Sequence, residues 1–354
     1  MPSPTPRRRL KIAVLGAGSI GCHLGGHLAP HAEVTLIGRP ALRETLAGGL
    51  TLTAAGRPTR HLPPDRLVVA TTPDAAADAD FVLVTVKSAA TPTAGRELAE
   101  HLRPGAVVVS FQNGLHNPGI LRAALPGHTV LAGMVPYNVL QTAPGAFHQG
   151  STGSLMIDDT PEGAGLLELL RAGGLAVEAR RDMREVQHAK LLLNLNNAVN
   201  ALSGLPLRDQ LGRRAYRRCL ALCQQEALAA LRAAGVRPAR LGPVPPALTP
   251  ALMRLPDRLF RRIAAGALGI DAHARSSMWE DLERGRATEI DALQGEVVAI
   301  AARHGRTAPA NARLVALVRE REVADAADAR RWTGSDLLAE LTAARAADKA
   351  GRPV

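Results

Sequence analysis

The stretch that most constrains this chain is KIAVLGAGSIG, residues 11–21. An apolar run over 12–15, of the kind that forms a buried strand, leads into Gly16, Ala17, Gly18, Ser19, Ile20 and Gly21. A helical pattern follows. This is G-x-G-x-x-G after a strand and before a helix, the context a dinucleotide site requires. The glycines have separate tasks. Gly16 permits the tight turn, Gly18 lets the backbone approach a pyrophosphate, and Gly21 lets the helix pack on the strand. The helix N-terminus adds unpaired N–H groups and a positive dipole end. The stretch therefore predicts an α/β fold with a Rossmann-type, doubly wound parallel sheet.

At 354 residues the chain exceeds the usual single-domain size, which predicts two domains. Aromatic residues make up only 2%, so the cores must be built of Leu, Val and Ala. The net charge of +11 would suit a polyanion partner. No basic run is interleaved with aromatics, however, and the Arg residues are spread along helical patterns, so a nucleic-acid partner is not expected. Cys22, Cys219 and Cys223 are odd in number and no secretory leader precedes them, so reduced thiols in a cytoplasmic protein are expected. Cys219 and Cys223, at i, i+4 spacing, read as core rather than as metal ligands. No apolar run approaches the roughly 18 residues that span a membrane.

In chain order, residues 1–10 read as a disordered basic lead-in, 11–181 as the nucleotide-binding domain, 182–324 as an all-helical domain and 325–354 as a C-terminal extension. After the first helix, 33–37 is a second strand, followed by Gly38 and Arg39. Sites selective for NAD place a carboxylate here for the ribose 2′-OH. An arginine instead pairs with a 2′-phosphate, which favours NADPH. Short strands are predicted at 50–52 and 67–70 around a polar hairpin. Buried parallel strands are predicted at 81–86, ending near Lys87, and at 106–110, leading to Gln112, Asn113 and Gly114, with a sixth strand at 129–132. Residues 145–149 and 153–157 read as an antiparallel pair closing this domain. Beyond 182 the pattern turns helical: 184–203 as one helix, then 213–234, a Pro-rich connection over 241–256, 289–304, 311–322, and an extra C-terminal helix of marginal stability over 332–349. Ser277-Met-Trp-Glu280 reads as a capping box opening a further helix.

On the helix at 184–203, Lys190, Asn194, Asn197 and Ala201 share one face by their spacing. Asn is a poor helix former, so Asn194, Asn196 and Asn197 within four residues need a reason. Either the amides bond to neighbouring backbone, or the face holds a carbonyl, a carboxylate and hydroxyls. Glu289 follows Ser277 by twelve residues. A carboxylate near a site lysine can move protons or fix a hydroxyl. In an Arg-rich helical domain it can equally be a solvated ion-pair partner.

Taken together, G-A-G-S-I-G at 16–21, T-V-K at 85–87, Q-N-G at 112–114, K-L-L-L-N at 190–194, S-S-M at 276–278 and T-E-I-D at 288–291 resemble the ketopantoate reductases (2-dehydropantoate 2-reductases), in the same order and across residues 11–322. The resemblance implies a two-domain enzyme that reduces ketopantoate to pantoate with NADPH, on the way to pantothenate and coenzyme A. It implies Lys190 as general acid and Glu289 as the acidic residue near the nicotinamide ribose and the lysine. Asn194 and Ser277 match substrate-binding positions, Asn113 the residue near both nicotinamide and substrate, and Lys87 and Arg39 the cofactor-phosphate contacts. Dimerisation through the helical domain is implied by the resemblance alone. The family pattern carries a second asparagine eight residues after the lysine, where this chain has Ala198; Asn197 or Asn200 could serve instead, and Asn197 lies better on the Lys190 face. The expectation is thus an NADPH-dependent reductase of a 2-keto acid with no metal. The alternatives are another 2-keto acid substrate and a non-catalytic NADP-binding regulator.

Overall fold

A computed structural model describes residues 8–264, 274–324 and 330–351, which divide into two compact units. The first comprises residues up to 149 and 153–183; the second comprises 150–152 and the rest from 184. Of the expected lead-in, 1–7 lie outside the described residues. Residues 8–10 are tied down rather than disordered. Arg8 pairs with Asp80 at 2.6 Å, Arg9 donates to Pro30 O, and Leu10 packs on the core.

In the first unit the chain forms β1 (Lys11–Leu15), α1 (Ser19–Leu28), β2 (Glu33–Ile37), α2 (Ala41–Thr45), β3 (Leu50–Ala54), β4 (Arg60–Leu62), β5 (Val68–Ala70) and β6 (Phe81–Val84). There follow α3 (Thr91–His101), β7 (Val107–Ser110), α4 (Asn117–Ala124), β8 (Thr129–Met134), β9 (Val139–Ala143), β10 (Ala146–Gln149), β11 (Leu155–Asp158), α5 (Ala164–Ala172) and β12 (Val177–Arg180). The main sheet has the order β12-β11-β8-β7-β6-β1-β2-β5, parallel throughout except where β11 meets β8. Its central strands are buried on both faces. Ile12, Val14, Phe81 and Leu83 point into one core, while Ala13, Leu15, Val82 and Val84 point into the other. Alternation thus divides a continuous apolar run between two layers, the usual condition of a parallel sheet.

A second sheet, β4-β3-β10-β9, corrects two expectations. The strand at 50–54 belongs to it, paired with β4, whereas β5 joins the main sheet beside β2. Residues 146–149 and 155–158 do not pair with each other. β10 lies between β3 and β9, and β11 lies between β8 and β12. Each short run carried apolar residues, but the sequence held no signal for which edge each would join.

The second unit is helical: α6 (Met183–Asn194), α7 (Asn196–Ser203), α8 (Leu207–Gly212), α9 (Arg214–Ala233), α10 (Thr249–Met253), α11 (Asp257–Ala264), α12 (Ser277–Glu283), a π-helical turn at Asp291–Gly295, α13 (Glu296–Arg303), α14 (Pro309–Val323) and α15 (Gly334–Ala350). Its interior is organised by two charged side chains of α9. Arg217, fully buried, donates to Leu211 O, Met253 O and Leu255 O, pairs with Asp257 at 2.9 Å and lies over the Phe260 ring. Glu226 accepts from the Ala310 and Asn311 N–H groups at 3.1 Å, so a buried carboxylate sits at the positive end of α14. Burial nevertheless pushes its pKa up, against those hydrogen bonds.

The C-terminal helix is integral rather than marginal. Leu337 and Leu341 are fully buried, Tyr216 donates to Trp332 O, and Arg345 reaches Glu226 at 3.4 Å. Of the expected C-terminal extension, 325–329 and 352–354 lie outside the described residues. Leu341→Ala is expected to destabilise the helical unit by about 2–5 kcal/mol, seen as a lower urea midpoint.

Candidate active site

The carboxyl ends of four adjoining strands, β7, β6, β1 and β2, gather most of the cofactor-site residues expected from sequence. Gly16 to Gly21 follow β1, Arg39 follows β2, Lys87 follows β6, and Asn113 and Gly114 follow β7. The chain leaves β1 for β2 on one side and returns as β6 on the other. Such a switch in winding direction opens a crevice beyond the strand ends.

The turn after β1 separates the tasks of the three glycines. Gly16 has φ +92°, and a Cβ there would stand 2.5 Å from Val86 N. A Cβ on Gly21 would meet Thr85 Oγ1 at 2.7 Å; that hydroxyl donates to Gly16 O at 2.8 Å. Gly18 differs. Its Cβ would meet nothing nearer than Gly16 O at 3.9 Å, so the missing side chain leaves open space over the helix start. The first intrahelical bond of α1 is Cys22 N–H to Gly18 O, and the N–H groups of Ser19, Ile20 and Gly21 precede it. Open space over a row of first-turn N–H groups fits the pyrophosphate of a dinucleotide. Arg39 is exposed, two residues beyond β2, and no carboxylate stands at that strand end.

The neighbouring loops are held by a buried polar chain. Ser110 Oγ donates to Gln112 Oε1, and Gln112 Nε2 donates to Val86 O and to Thr91 Oγ1. Thr91 Oγ1 donates to Asn117 Oδ1, while Asn117 Nδ2 and Ser88 Oγ both donate to Asn113 O. The backbones of 86–88 and 113 are thereby fixed to each other and to the start of α3. Gln112 and Asn117 in this role were missed by sequence reasoning. A buried amide between two apolar strands was the available signal.

In the second unit, Lys190 and Asn194 lie one turn apart on α6, and Asn197 lies at the start of α7. The single helix expected over 184–203 is interrupted at Leu195. The residue keeps helical angles (φ −59°, ψ −19°), and its N–H still reaches Leu191 O at 3.1 Å, so the break tightens the run without reversing it. Two buried glutamines donate to carbonyls at this break: Gln224 from α9 to Leu192 O, and Gln294 from the π-turn to Leu195 O. These amides tie α9 and the π-turn to the backbone at the break.

The asparagines divide between the two readings of the sequence. Asn196 pairs with Gln210, and Asn200 holds Leu205 O and the Ser276 N–H; both are structural. Asn194 is buried and Asn197 half-buried beside Lys190 on the chain. Lys190 itself is half-buried, and desolvation pushes its ammonium down to about 8. Ala198, at the family's second asparagine position, is fully buried.

Ser277 is not the cap of α12. That cap is Ser276, whose Oγ accepts from Trp279 N and donates to Asn197 O. Ser276 has the extended backbone a cap requires, and it is fully buried, whereas Ser277 is exposed at the first helical position. The cap thus links α12 to the start of α7. Glu289 is half-buried immediately before the π-turn, and its carbonyl accepts from Leu293 N. Helical turns widened in this way are frequent at functional sites.

Comparison with known proteins identifies the family. Residues 12–162 match the family model of ketopantoate reductase PanE/ApbA, and 182–322 match the C-terminal model of the same family. The chain is 29% identical over 323 residues to a 2-dehydropantoate 2-reductase of Halobacterium salinarum, covering 88% of this chain and 98% of the relative. A PanE/ApbA family ketopantoate reductase from Ralstonia eutropha is 33% identical with a TM-score of 0.74, over 88% of this chain and 98% of that one. A D-mandelate dehydrogenase solved with NADH and anilino(oxo)acetate shares the fold, with a TM-score of 0.72 at 19% identity over 88% and 98% of the two chains. The chain belongs to the ketopantoate reductase family and is an oxidoreductase.

Proposed function

We propose that the protein reduces 2-dehydropantoate to pantoate with NADPH, in the supply of pantothenate and coenzyme A. The observation that carries this reading is Lys190: a half-buried lysine with its acidity raised to about 8, one turn from a buried asparagine. The bound nicotinamide supplies a hydride to the ketone carbon. Lys190 Nζ supplies the proton to the ketone oxygen, and its charge stabilises the alkoxide as it develops. An ammonium in water would be too weak an acid for the task. Partial desolvation brings it towards the working pH. Asn194, Asn197 and Ser277 orient the substrate's carboxylate and hydroxyl, and Glu289 holds the ribose and the lysine. Asn113 lies by nicotinamide and substrate. The turn from Gly16 to Gly21, with Lys87 and Gly114, takes the cofactor's phosphates and ribose, and Arg39 takes the 2′-phosphate. On family resemblance, the same reading takes the protein as cytoplasmic and homodimeric.

A second reading is favoured by Ala198. A fully buried methyl group there offers the substrate no hydrogen bond. A 2-keto acid lacking the hydroxyl of ketopantoate would not need one. Oxidation of NADPH with ketopantoate and with simple branched 2-keto acids decides between the two, and ketopantoate is expected to be preferred.

Lys190→Ala should lower kcat by about a hundredfold or more while leaving NADPH binding unchanged by fluorescence titration. The pH profile carries a sign. Reduction needs the ammonium, so kcat falls as pH rises through about 8, while the reverse oxidation needs the neutral amine and gains over the same range. Arg39→Ala should raise KM for NADPH by about tenfold and leave that for NADH unchanged, because the charge-assisted bonds go to the 2′-phosphate alone.

A further inference from the structure

Away from the strand ends, the first unit contains a cavity of 550 Å³ between the C-terminal half of α1, the strands β3 and β4 with their connecting turn, and the end of α5. Its walls include His23, His27, Arg57, Arg60, His61 and Thr53, and no carboxylate lines it. Part of this lining has a structural task. Arg60 donates to His27 O and Gly173 O, and Arg57 donates to Gly174 O, so the two guanidiniums hold the last carbonyls of α1 and α5. His27 Nδ1 also reaches Gly173 O at 2.8 Å. These bonds use three of the ten N–H donors that two guanidinium groups carry.

The helix-end role does not account for His23. The ring is 1% exposed, both of its nitrogens lack a hydrogen-bond partner among the described residues, and it forms part of the cavity wall. The Tyr137 ring packs edge-on against it at 5.4 Å, and the buried Tyr137 hydroxyl also lacks a partner. Burial, with the Arg57 and Arg60 guanidiniums nearby, pushes His23 down to about 3, so it is a neutral donor and acceptor at neutral pH. Leaving the two buried His23 nitrogens unsatisfied is costly, and a polar ligand in the cavity would offset that cost. Two cations at the rim with no anion among the lining residues select negative charge. A neutral imidazole on the wall selects a hydrogen-bonding group next to that charge.

We propose that this cavity is a second ligand site, for a small metabolite whose phosphate or carboxylate group binds Arg57 and Arg60 and whose polar body hydrogen-bonds to His23. Its volume is in the range of small-molecule sites. The site is separate from the cofactor turn, although both are built on α1: Gly18 and Ser19 begin the helix, and His23 and His27 stand in its later turns. It does not depend on the substrate reading above.

The test saturates the full chain with NADP⁺, so that the cofactor site is filled, and titrates inorganic pyrophosphate in one arm and tricarballylate in the other. Histidine imidazole resonances report binding. Saturable shifts of the His23 and His27 signals in either arm are expected, and the stronger arm identifies the preferred anion. The Arg57→Gln/Arg60→Gln variant should weaken binding by about tenfold or more. His23→Phe leaves both guanidiniums in place and should lose the His23 contribution while the protein remains folded. Absence of saturable shifts in both arms, or unchanged affinity in both variants, overturns the proposal.

Discussion

The first unit depends on one close approach. The backbone at Gly16 passes so near the end of β6 that a single added carbon would lie 2.5 Å from Val86 N. That contact fixes the turn after β1, and with it the start of α1 and the direction of its first N–H groups. The Thr85 hydroxyl, bonded to Gly16 O, closes the same junction from the other strand. Because β1 and β6 are the pair at which the winding reverses, this close packing and the crevice beyond the strand ends have a common origin.

Away from that junction, each unit fixes its loops and chain breaks with buried amides rather than with charge. Gln112 and Asn117 bind the loops after β6 and β7, and Gln224 and Gln294 hold the break between α6 and α7. Each amide donates to a main-chain carbonyl of the loop or helix break it holds. A side-chain amide satisfies such a carbonyl without the desolvation cost of a buried ion. Lys190 on α6 differs: desolvation of its ammonium lowers its pKa to about 8.

The excess of arginine has a comparable explanation. Arg217 alone serves three carbonyls, and Arg57 and Arg60 serve three more at helix ends. A planar guanidinium with five donors can close several chain ends at once, a task for which lysine lacks the geometry. These three arginines thus serve internal structure.

By itself, the sequence determined the nucleotide-binding turn, the parallel strands around it, the change to helices near residue 182 and the lysine–asparagine spacing at 190–194. These are local signals: a glycine pattern, runs of apolar residues, and helical periodicity. Only the tertiary structure decided which sheet each short strand joined, that Ser276 and not Ser277 caps α12, that the helix breaks at Leu195, and that α15 is part of the core. Each of these depends on a partner distant in sequence, such as β3 for β10, Asn197 for Ser276, Gln294 for Leu195 or Tyr216 for Trp332. Short strands and single polar residues carry too little energy of their own to select a position. The neighbour that satisfies their hydrogen bonds selects it for them.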